Sequence, residues 1–348
     1  MSGSTLNIGV IGAGGIARRK TIPALVRSGS CRLVAVMNPS RAEEIAAEFD
    51  VPAAYTTVQD LLQDSAVEAV YIASPVHVHA QQIEQAALAG KHILCEKPLT
   101  RTLREAENAV AHCRRQGVIL QEGYMMKFHG AHVKMKELIE RGRLGRVVSI
   151  RAQLSCWYPP MSGAWRQDPG TGGGGALMDM ATHLYDLLVH FAGPVKRIMA
   201  MTGRLVHGYS SEDASTTLLE FASGAHATVD SFFCIPDEAS RTRLEIYGSQ
   251  GALLSEGTVG QGSGGTLEGV FGLGEASYDA AQNKDLATGF ERISFDPVDP
   301  YNAEFEAFAR SAVNGETPEL NGVDNTLRIM KLVDLAYASA AAGRAMEA

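Results

Sequence analysis

Residues 7–17 read NIGVIGAGGIA, and this stretch decides the fold of the first part of the chain. The apolar run NIGVI is typical of a short buried strand, and Gly12, Gly14 and Ala17 form the pattern G-x-G-x-x-A where a helix begins. Gly12 permits a tight turn, Gly14 lets a pyrophosphate approach the backbone, and the N–H groups of the helix start attract phosphate. A tight strand–helix turn without a ligand is the alternative. The predicted dinucleotide-binding loop comprises Gly12, Gly14, Gly15 and Ile16.

The chain keeps one texture from this stretch to about Tyr124. Short apolar runs alternate with amphipathic stretches, and these runs are LNIGVIG, CRLVAVMN, EAVYIAS, KHILCEK and VILQEGY. The stretches with helical spacing cover residues 16–26, 41–49, 79–89 and 103–115. This alternation predicts an α/β fold in which a doubly wound parallel sheet carries helices on both faces. We therefore predict a Rossmann domain over residues 1–124.

After residue 124 the strand-like runs become longer and are separated by turn signals such as Ser223-Gly224 and residues 248–251. They follow a helix-like segment, HVKMKELIERG, and read VVSIRAQLSCW, VKRIMAMTGRL, ASTTLLEF, AHATVDSFF and RLEIYG. Near the end, NAEFEAFARSAVNG and NTLRIMKLVDLAYASAAAG have helical spacing and end in glycine. Residues 125–348 are thus predicted to form an α+β domain with an open, largely antiparallel sheet.

Residues 257–274 contain eight glycines and little hydrophobic periodicity. Such a composition predicts a mobile loop between strands, with a functional lid as the alternative.

Composition and charge exclude several classes of partner. The 348 residues carry 31 basic and 39 acidic side chains, so the net charge of -8 gives no reason to expect binding to nucleic acid or to an anionic membrane. The five cysteines show no C-x-x-C spacing, which argues against a disulfide framework and a zinc site and favours a reducing cytoplasm. We predict no metal, no export signal and no membrane span.

The second predicted strand ends in Met37-Asn38-Pro39-Ser40-Arg41, where an NAD enzyme usually places an acidic residue on the ribose 2′-hydroxyl. Without that carboxylate a 2′-phosphate is not repelled, and Ser40 and Arg41 can donate hydrogen bonds to it. The local chemistry therefore favours NADP slightly over NAD. The alternatives are that Ser40 is a helix N-cap, that Arg41 is a solvated helix residue, and that Asn38 binds a ribose hydroxyl.

Two further motifs carry groups suited to moving a proton. Cys95-Glu96-Lys97-Pro98 follows the strand-like run KHIL, and Asp179-x-x-x-His183 follows a run of four glycines, residues 172–175. On a helix, positions i and i+4 share a face, so Asp179 and His183 point the same way. Alcohol oxidation needs a base for the hydroxyl proton, and ketone reduction needs the matching acid. Each motif alone also fits an ordinary structural role.

Together with the glycine fingerprint, these motifs resemble the glucose-fructose oxidoreductase, inositol dehydrogenase and rhizopine catabolism family, called Gfo/Idh/MocA. The resemblance is carried by GVIGAGGIARRKTIPAL, Ser74-Pro75 with His79, Glu96-Lys97-Pro98, GYMMKFH, GGGGALMDMATHLYDLL and YNAEFEAFARSAVNG, in the family's order over nearly the whole chain. It implies hydride transfer between NAD(P) and a hydroxyl or ketone of a sugar, sugar derivative or inositol. It also implies a homodimer or homotetramer formed through the C-terminal sheet.

The resemblance further implies roles for particular residues. Lys97 looks like the family's lysine near the reacting hydroxyl and the nicotinamide ribose, Asp179 like a substrate-holding carboxylate, and His183 like the acid/base. Local chemistry predicts cofactor contacts for Asn38, Ser40 and Arg41, although Asn38 stands where the family usually has an acidic residue. The resemblance implies cofactor contacts for Ser74, Pro75, His79, Glu96 and Lys97. Substrate contacts are implied for Tyr124, Lys127, Tyr158, Trp165, Arg166, Asp179 and His183.

Two other functions stay open at this point. Some relatives of this fold act as hydrolases, lyases or epimerases that oxidise a sugar transiently and return the hydride to a tightly held cofactor. A sensor that binds a sugar without catalysis is the second alternative, although it would not need Lys97, Asp179 and His183. The substrate, the reacting carbon and the favoured direction are not predicted.

Overall fold

The N-terminal strands form one parallel sheet. The structure, a computed structural model, describes residues 5–272 and 289–348. Its first six strands are β1 (Leu6–Ile11), β2 (Cys31–Met37), β3 (Ala53–Tyr55), β4 (Ala69–Ile72), β5 (His92–Glu96) and β6 (Leu120–Gly123). They pair in parallel in the order β3-β2-β1-β4-β5-β6. The order reverses direction between β1 and β4, which opens a crevice at the carboxyl ends of these strands. The predicted doubly wound sheet is confirmed.

The connections of this sheet are helical. They are α1 (Ile22–Val26), α2 (Ala42–Phe49), α3 (Val58–Gln63), α4 (His79–Leu88) and α5 (Leu103–Gln116). A π-helical turn, Ala17–Thr21, precedes α1. Helices α3 and α5 begin at threonine caps, since Thr57 and Thr102 accept the backbone N–H groups of Asp60 and Glu105. Sequence periodicity did not predict β3 or α3, because three and six residues are too short to display a period.

The second sheet has nine strands and is mostly antiparallel, as predicted. Its strands are β7 (Val147–Ser155), β8 (Val195–Gly203), β9 (Ala214–Phe221), β10 (His226–Phe232), β11 (Arg243–Gly248), β12 (Gly251–Glu256), β13 (Thr266–Phe271), β14 (Glu291–Arg292) and β15 (Met346–Glu347). Their order is β14-β13-β12-β11-β7-β10-β9-β8-β15. Only β7 and β10 are described as a parallel pair in this sheet.

The prediction of a loop over residues 257–274 was wrong for Thr266–Phe271, which form β13 and pair with β12. Gly269 hid the strand periodicity, since it supplies no side chain on its face. A Cβ atom there would lie 2.7 Å from Cδ1 of Ile293, so a neighbouring side chain fills the place of the missing one. Residues 257–265 do form an irregular connection, and residues 273 and 274 lie outside the described part of the chain.

The remaining helices lie in the second part of the chain. They are α6 (Gly130–Glu140), α7 (Pro169–Gly172), α8 (Thr182–Ala192), α9 (Pro300–Asn314) and α10 (Val323–Ala342), and a second π-helical turn, Leu177–Ala181, precedes α8. Helix α9 buries Phe305 and Phe308 among strand residues of the parallel sheet such as Val10. Helix α10 packs against both α5 and β8. The division at residue 124 stays a prediction, because these late helices contact both parts.

Within the described residues, no helix is long and apolar enough to cross a membrane.

Candidate active site

The loop after β1 leaves backbone exposed at the crevice. Gly12 has φ of 81°, and a Cβ atom on it would lie 2.7 Å from the backbone nitrogen of Ser74 after β4, so this position requires glycine. A Cβ on Gly14 would lie 3.3 Å from Nδ2 of Asn38, and one on Gly15 would meet no atom within 4 Å. The space beside Gly15 is therefore open, and a side chain at this position would occupy it. A dinucleotide pyrophosphate fits such a bare loop at a helix start.

Asn38 organises the turn that follows β2. Its Oδ1 atom accepts the backbone N–H groups of Ser40 at 3.1 Å and Arg41 at 3.0 Å. Helix α2 begins at Ala42 without a side-chain cap from Arg41, so Ser40 is not the N-cap. Ser40 and Arg41 are both exposed at the carboxyl end of the sheet.

His79 ties two loops of the crevice together. Its Nδ1 atom lies 3.2 Å from the carbonyl oxygens of Pro98 and Leu99, and Nε2 lies 2.7 Å from the carbonyl oxygen of Ser74. The imidazole is buried, which lowers its pKa. The structure therefore places His79 behind the cofactor loops, where it holds the Ser74-Pro75 segment against the Glu96-Lys97-Pro98 segment.

Two hydrogen bonds hold the side chain of Glu96 next to Lys97. The hydroxyl of Tyr71 on β4 donates to Oε1 of Glu96 at 2.5 Å, and the backbone N–H of Lys97 donates to Oε2 at 3.3 Å. Burial raises the pKa of this carboxyl. Behind it, Glu122 on β6 accepts the backbone N–H of Leu99 at 2.8 Å. Sequence analysis missed Tyr71 and Glu122, although a glutamate inside the apolar run VILQEGY was an available signal.

Lys97 and Arg166 meet at one carboxylate. The Nζ atom of Lys97 donates to the Oδ1 atom of Asp179 at 3.0 Å and to its backbone carbonyl at 2.7 Å. Nε of Arg166 donates to the same Oδ1 at 2.9 Å. Burial alone would raise the pKa of Asp179, but the two cations outweigh it and hold that pKa well below its ordinary value. Asp179 is therefore a charged acceptor throughout the neutral range.

His183 lies on α8, one turn beyond Asp179. Its side chain is buried, and no described residue hydrogen-bonds its Nδ1 atom. Burial lowers its pKa well below 6.5, the charge of Lys97 lowers it further, and Asp179 acts in the opposite direction. The ring of Tyr124 meets the imidazole edge to face, with centroids 6.0 Å apart. The imidazole is therefore neutral at neutral pH and can accept a proton.

Aromatic side chains border the Arg166 side of this cluster. The guanidinium carbon of Arg166 lies 4.1 Å from the centroid of the Trp165 ring. Tyr158 packs its ring 4.9 Å from that of Phe233, and Arg166 opposes the rise that burial causes in the pKa of Tyr158. Tyr158, Trp165 and Arg166 are thus brought to the cluster that Lys97 and Asp179 form.

The structure does not bring Lys127 to this cluster. Its Nζ atom pairs with Oδ1 of Asp186 at 2.7 Å and donates to Oδ1 of Asn321 at 3.0 Å. The Lys127 side chain is 4% exposed and that of Asp186 is 1% exposed. Lys127 lies on a short helical turn and Asp186 on α8, so the ammonium group forms a buried ion pair and does not face the cluster. Tyr124 is fully buried and contacts the imidazole ring of His183.

The cluster formed by Lys97, Asp179, His183 and Arg166 has one fixed anion, two cations and one neutral imidazole. A carboxylate and two cations can hold hydroxyl groups of a small polar molecule. An imidazole beside them can exchange a proton with one of those hydroxyls. These four side chains lie beside a crevice that fits a dinucleotide.

Comparisons with known proteins agree with this geometry. Residues 6–124 match the family model described as "Oxidoreductase family, NAD-binding Rossmann fold", and residues 132–254 match the "GFO/IDH/MocA C-terminal domain". A D-xylose 1-dehydrogenase (NADP(+)) of Haloferax volcanii is 32% identical over 340 residues, covering 97% of this chain and 98% of that protein. A 1,5-anhydro-D-fructose reductase of Ensifer adhaerens is 30% identical over 345 residues, with 97% of each chain covered.

A solved structure shows the same fold. The aldose-aldose oxidoreductase from Caulobacter crescentus, complexed with glycerol, superposes with a TM-score of 0.87 over 99% of this chain and all of that one, at 22% identity. The two family models together cover more than half of the chain, and two relatives at 30% identity or more span nearly all of it. The chain therefore belongs to the Gfo/Idh/MocA family of NAD(P)-dependent oxidoreductases.

Proposed function

We propose that the protein transfers a hydride between NAD(P) and a CH–OH or keto group of a cyclic sugar, sugar derivative or inositol, with a slight preference for NADP. One observation supports this proposal most strongly. Lys97 and Arg166 both bind Asp179, which lies one helical turn from His183 and beside the glycine loop. Relatives that span the chain are named as a dehydrogenase and a reductase of sugars, which supports this reading over a sensor or a transient-oxidation enzyme.

The bound nicotinamide supplies the hydride acceptor in oxidation and the hydride donor in reduction. Gly12, Gly14 and Gly15 would hold the pyrophosphate at the helix start. His183 takes the proton of the reacting hydroxyl in oxidation and returns it to the oxygen in reduction. Lys97 donates a hydrogen bond to that same oxygen and lowers the free energy of its alkoxide-like charge.

Asp179 serves as the anchor for neighbouring substrate hydroxyls. Because Lys97 and Arg166 keep its carboxyl ionised, it accepts hydrogen bonds and does not compete with His183 for the proton. Two of the three N–H donors of Lys97 are directed at Asp179, which leaves one for the substrate oxygen. The division of labour is thus a charged acceptor, a neutral base and a cationic donor on one side of the crevice.

The preference for NADP rests on the turn after β2. Residues 37–41 contain no acidic side chain, and Ser40 and Arg41 are exposed beside Asn38. Both can donate to a 2′-phosphate without moving the backbone that Asn38 holds. The Haloferax relative is named for NADP(+).

We also propose a homodimer or homotetramer formed through the second sheet, in a reducing cytoplasm. Met199 on β8 pairs with Leu218 on β9, and these side chains together with Met201 expose 39%, 50% and 65% of their surface on the face opposite the core. All five cysteines are free thiols. Sedimentation of a Met201→Lys variant tests the interface, since a charge there should dissociate the oligomer, and an unchanged mass would place the interface elsewhere.

The activity is tested with a panel of aldoses, their uronates, anhydro sugars and inositols, each with NAD and with NADP. Reduced-nicotinamide absorbance reports net oxidation, and mass spectrometry of the sugar reports conversion without net cofactor reduction. Sugar oxidation that reduces NADP and disappears in His183→Ala supports the proposal. Conversion without net reduction, or turnover that persists at parental rate in His183→Ala, contradicts it.

A further inference from the structure

The glycine run 172–175 is not part of the cofactor loop, yet its last two members are tightly covered. A Cβ atom on Gly174 would collide with the hydroxyl of Tyr337 on α10, and one on Gly175 would collide with the backbone carbonyl of Glu212. Both contacts come from segments distant in sequence. These glycines are therefore required because Glu212 and Tyr337 approach the backbone at this point.

Glu212 accepts hydrogen bonds from the start of the helical segment that carries Asp179 and His183. Its Oε1 atom accepts the backbone N–H of Gly175 at 2.8 Å, the backbone N–H of Leu177 at 3.0 Å and the hydroxyl of Tyr337 at 2.9 Å. Its own carbonyl oxygen accepts the N–H of Ala176 at 3.1 Å. N–H groups at a helix start lack intrahelical partners, and a carboxylate there satisfies them with favourable charge.

The segment held by Glu212 leads directly into the site. The backbone N–H of Asp179 donates to the carbonyl of Gly175 at 2.9 Å, and the π-helical turn Leu177–Ala181 continues into α8 and His183. Lys97 also donates a hydrogen bond to the backbone carbonyl of Asp179. A shift of the helix start would therefore move the Asp179 carboxylate and the imidazole together relative to Lys97.

We propose that Glu212, supported by Tyr337, is a positioning residue that sets the register of Asp179 and His183 against Lys97 and the cofactor crevice. This inference rests on the proposed function, in which Asp179 and His183 act on the substrate. The glycines at 174 and 175 serve the same purpose, because any larger residue would displace the hydroxyl of Tyr337 or the backbone of Glu212 from the helix start.

The test compares Glu212→Ala, Glu212→Gln and Tyr337→Phe with Glu220→Ala. Glu220 is the matched control because it lies near the far end of β9, away from Glu212, and pairs with Lys196 and Arg197 at the surface. We expect Glu212→Ala to lower kcat by ~10- to 100-fold, the range that misplacement of reacting groups produces, with an unchanged Kd for the cofactor. Glu212→Gln should recover most of the rate, since an amide oxygen still accepts from the N–H groups.

A readout independent of turnover separates this inference from the proposed function. In protein labelled with ¹⁵N-histidine, the His183 signal is assigned by its loss in His183→Ala. We expect that signal to shift in Glu212→Ala and in Tyr337→Phe, but not in Glu220→Ala. An unshifted signal overturns the positioning role even if His183 proves catalytic, whereas a shifted signal with an inert His183 overturns only the proposed function.

A double-mutant cycle adds the energetic link. With His183→Ala as the background, Glu212→Ala should cost much less than it costs in the parent, because the group that it positions is gone. Equal losses in both backgrounds overturn the inference. If Glu212→Ala fails to fold, Tyr337→Phe, which removes one hydroxyl and retains the carboxylate, carries the same comparison; parental kcat in folded Tyr337→Phe with an unshifted His183 signal would also overturn it.

Discussion

The ammonium of Lys97 contacts Asp179 twice, at 2.7 Å to the backbone carbonyl and at 3.0 Å to Oδ1 of the carboxylate. The two residues are 82 positions apart: Lys97 directly follows β5 of the parallel sheet, and Asp179 lies in the π-helical turn before α8. This pairing fixes the distance between the parallel-sheet loop and the helix that carries His183. It also leaves one ammonium N–H available to a substrate oxygen, which is the basis of the predictions on catalysis.

Replacement of Gly14 by Val should abolish cofactor binding and leave the fold intact. The branched side chain would occupy the space that the pyrophosphate needs, beside an Nδ2 atom of Asn38 that is already 3.3 Å from an ideal Cβ. Fluorescence titration with NADPH measures the Kd, and circular dichroism checks the fold. Gly29→Ala is the control, because its new Cβ meets only Glu306 at 3.9 Å. An unchanged Kd in Gly14→Val would remove the site assignment.

Asn38→Asp should shift the preference from NADP toward NAD. Aspartate retains the oxygen that accepts the N–H groups of Ser40 and Arg41, so the turn is preserved while a negative charge faces the 2′-phosphate. We expect the ratio of kcat/KM for NADP over NAD to fall at least ~10-fold, which corresponds to about 1.4 kcal/mol. A strong NAD preference in the parent protein would show that Asn38 binds the ribose.

Arg41→Ala should weaken NADP binding and leave NAD binding unchanged. Arg32→Ala is the matched control, because Arg32 is also exposed but lies on β2 near the opposite end of the strand. Isothermal titration with both cofactors gives the comparison. Equal effects of the two substitutions on NADP would assign Arg41 to solvent.

His183→Ala should lower turnover by roughly 10²- to 10⁴-fold, the usual span for a positioned acid/base, and Lys97→Ala should do comparable or greater damage. Cofactor binding should survive both changes. Because the two groups act on one transition state, the double variant should lose much less than the product of the single losses. Steady-state kinetics with the best substrate measures all three. Multiplicative losses would mean that Lys97 and His183 act on separate steps.

The pH profile of oxidation should reflect a depressed imidazole pKa. Burial and the charge of Lys97 lower the pKa of His183 well below 6.5, so the neutral base is already formed at that pH. The acid limb of kcat should therefore lie below pH 6.5 and should be absent from the residual activity of His183→Ala. An acid limb at or above pH 6.5 that disappears in this variant would contradict the depressed pKa.

Stability should fall on acidification partly through His132. Burial lowers its pKa to about 3, while Nδ1 lies 2.7 Å from the carbonyl of Met126 and Nε2 lies 3.1 Å from the hydroxyl of Thr258. The unfolded chain binds a proton here below about pH 6.5 and the folded chain does not, so stability is lost as pH falls, by about 1.4 kcal/mol per pH unit. Urea unfolding between pH 6 and 4 measures how the free energy of unfolding depends on pH. This dependence should be shallower in His132→Gln than in the parent protein by that amount. Equal slopes in the two proteins would contradict the burial effect.

Local sequence signals determined the fold of the first part of this protein. NIGVIGAGGIA places a strand, a turn that needs φ of 81° at Gly12 and a helix start within eleven residues, so the information is contained in one short segment. The alternation of apolar runs with helical stretches then predicted the parallel sheet. The i and i+4 spacing of Asp179 and His183 was likewise local, and the structure keeps both on one continuous helical segment.

Only the tertiary structure decided which charged residues share a site. Lys127 and Arg166 looked equivalent in sequence, but Lys127 is buried against Asp186, whereas Arg166 holds Asp179. The run of four glycines gave no hint that Glu212, 37 residues beyond Gly175, would bind the helix start between them and Asp179. The packing of helices and sheets determines such pairs. Their separation along the chain follows neither the helical nor the strand period, so the sequence pattern does not predict them.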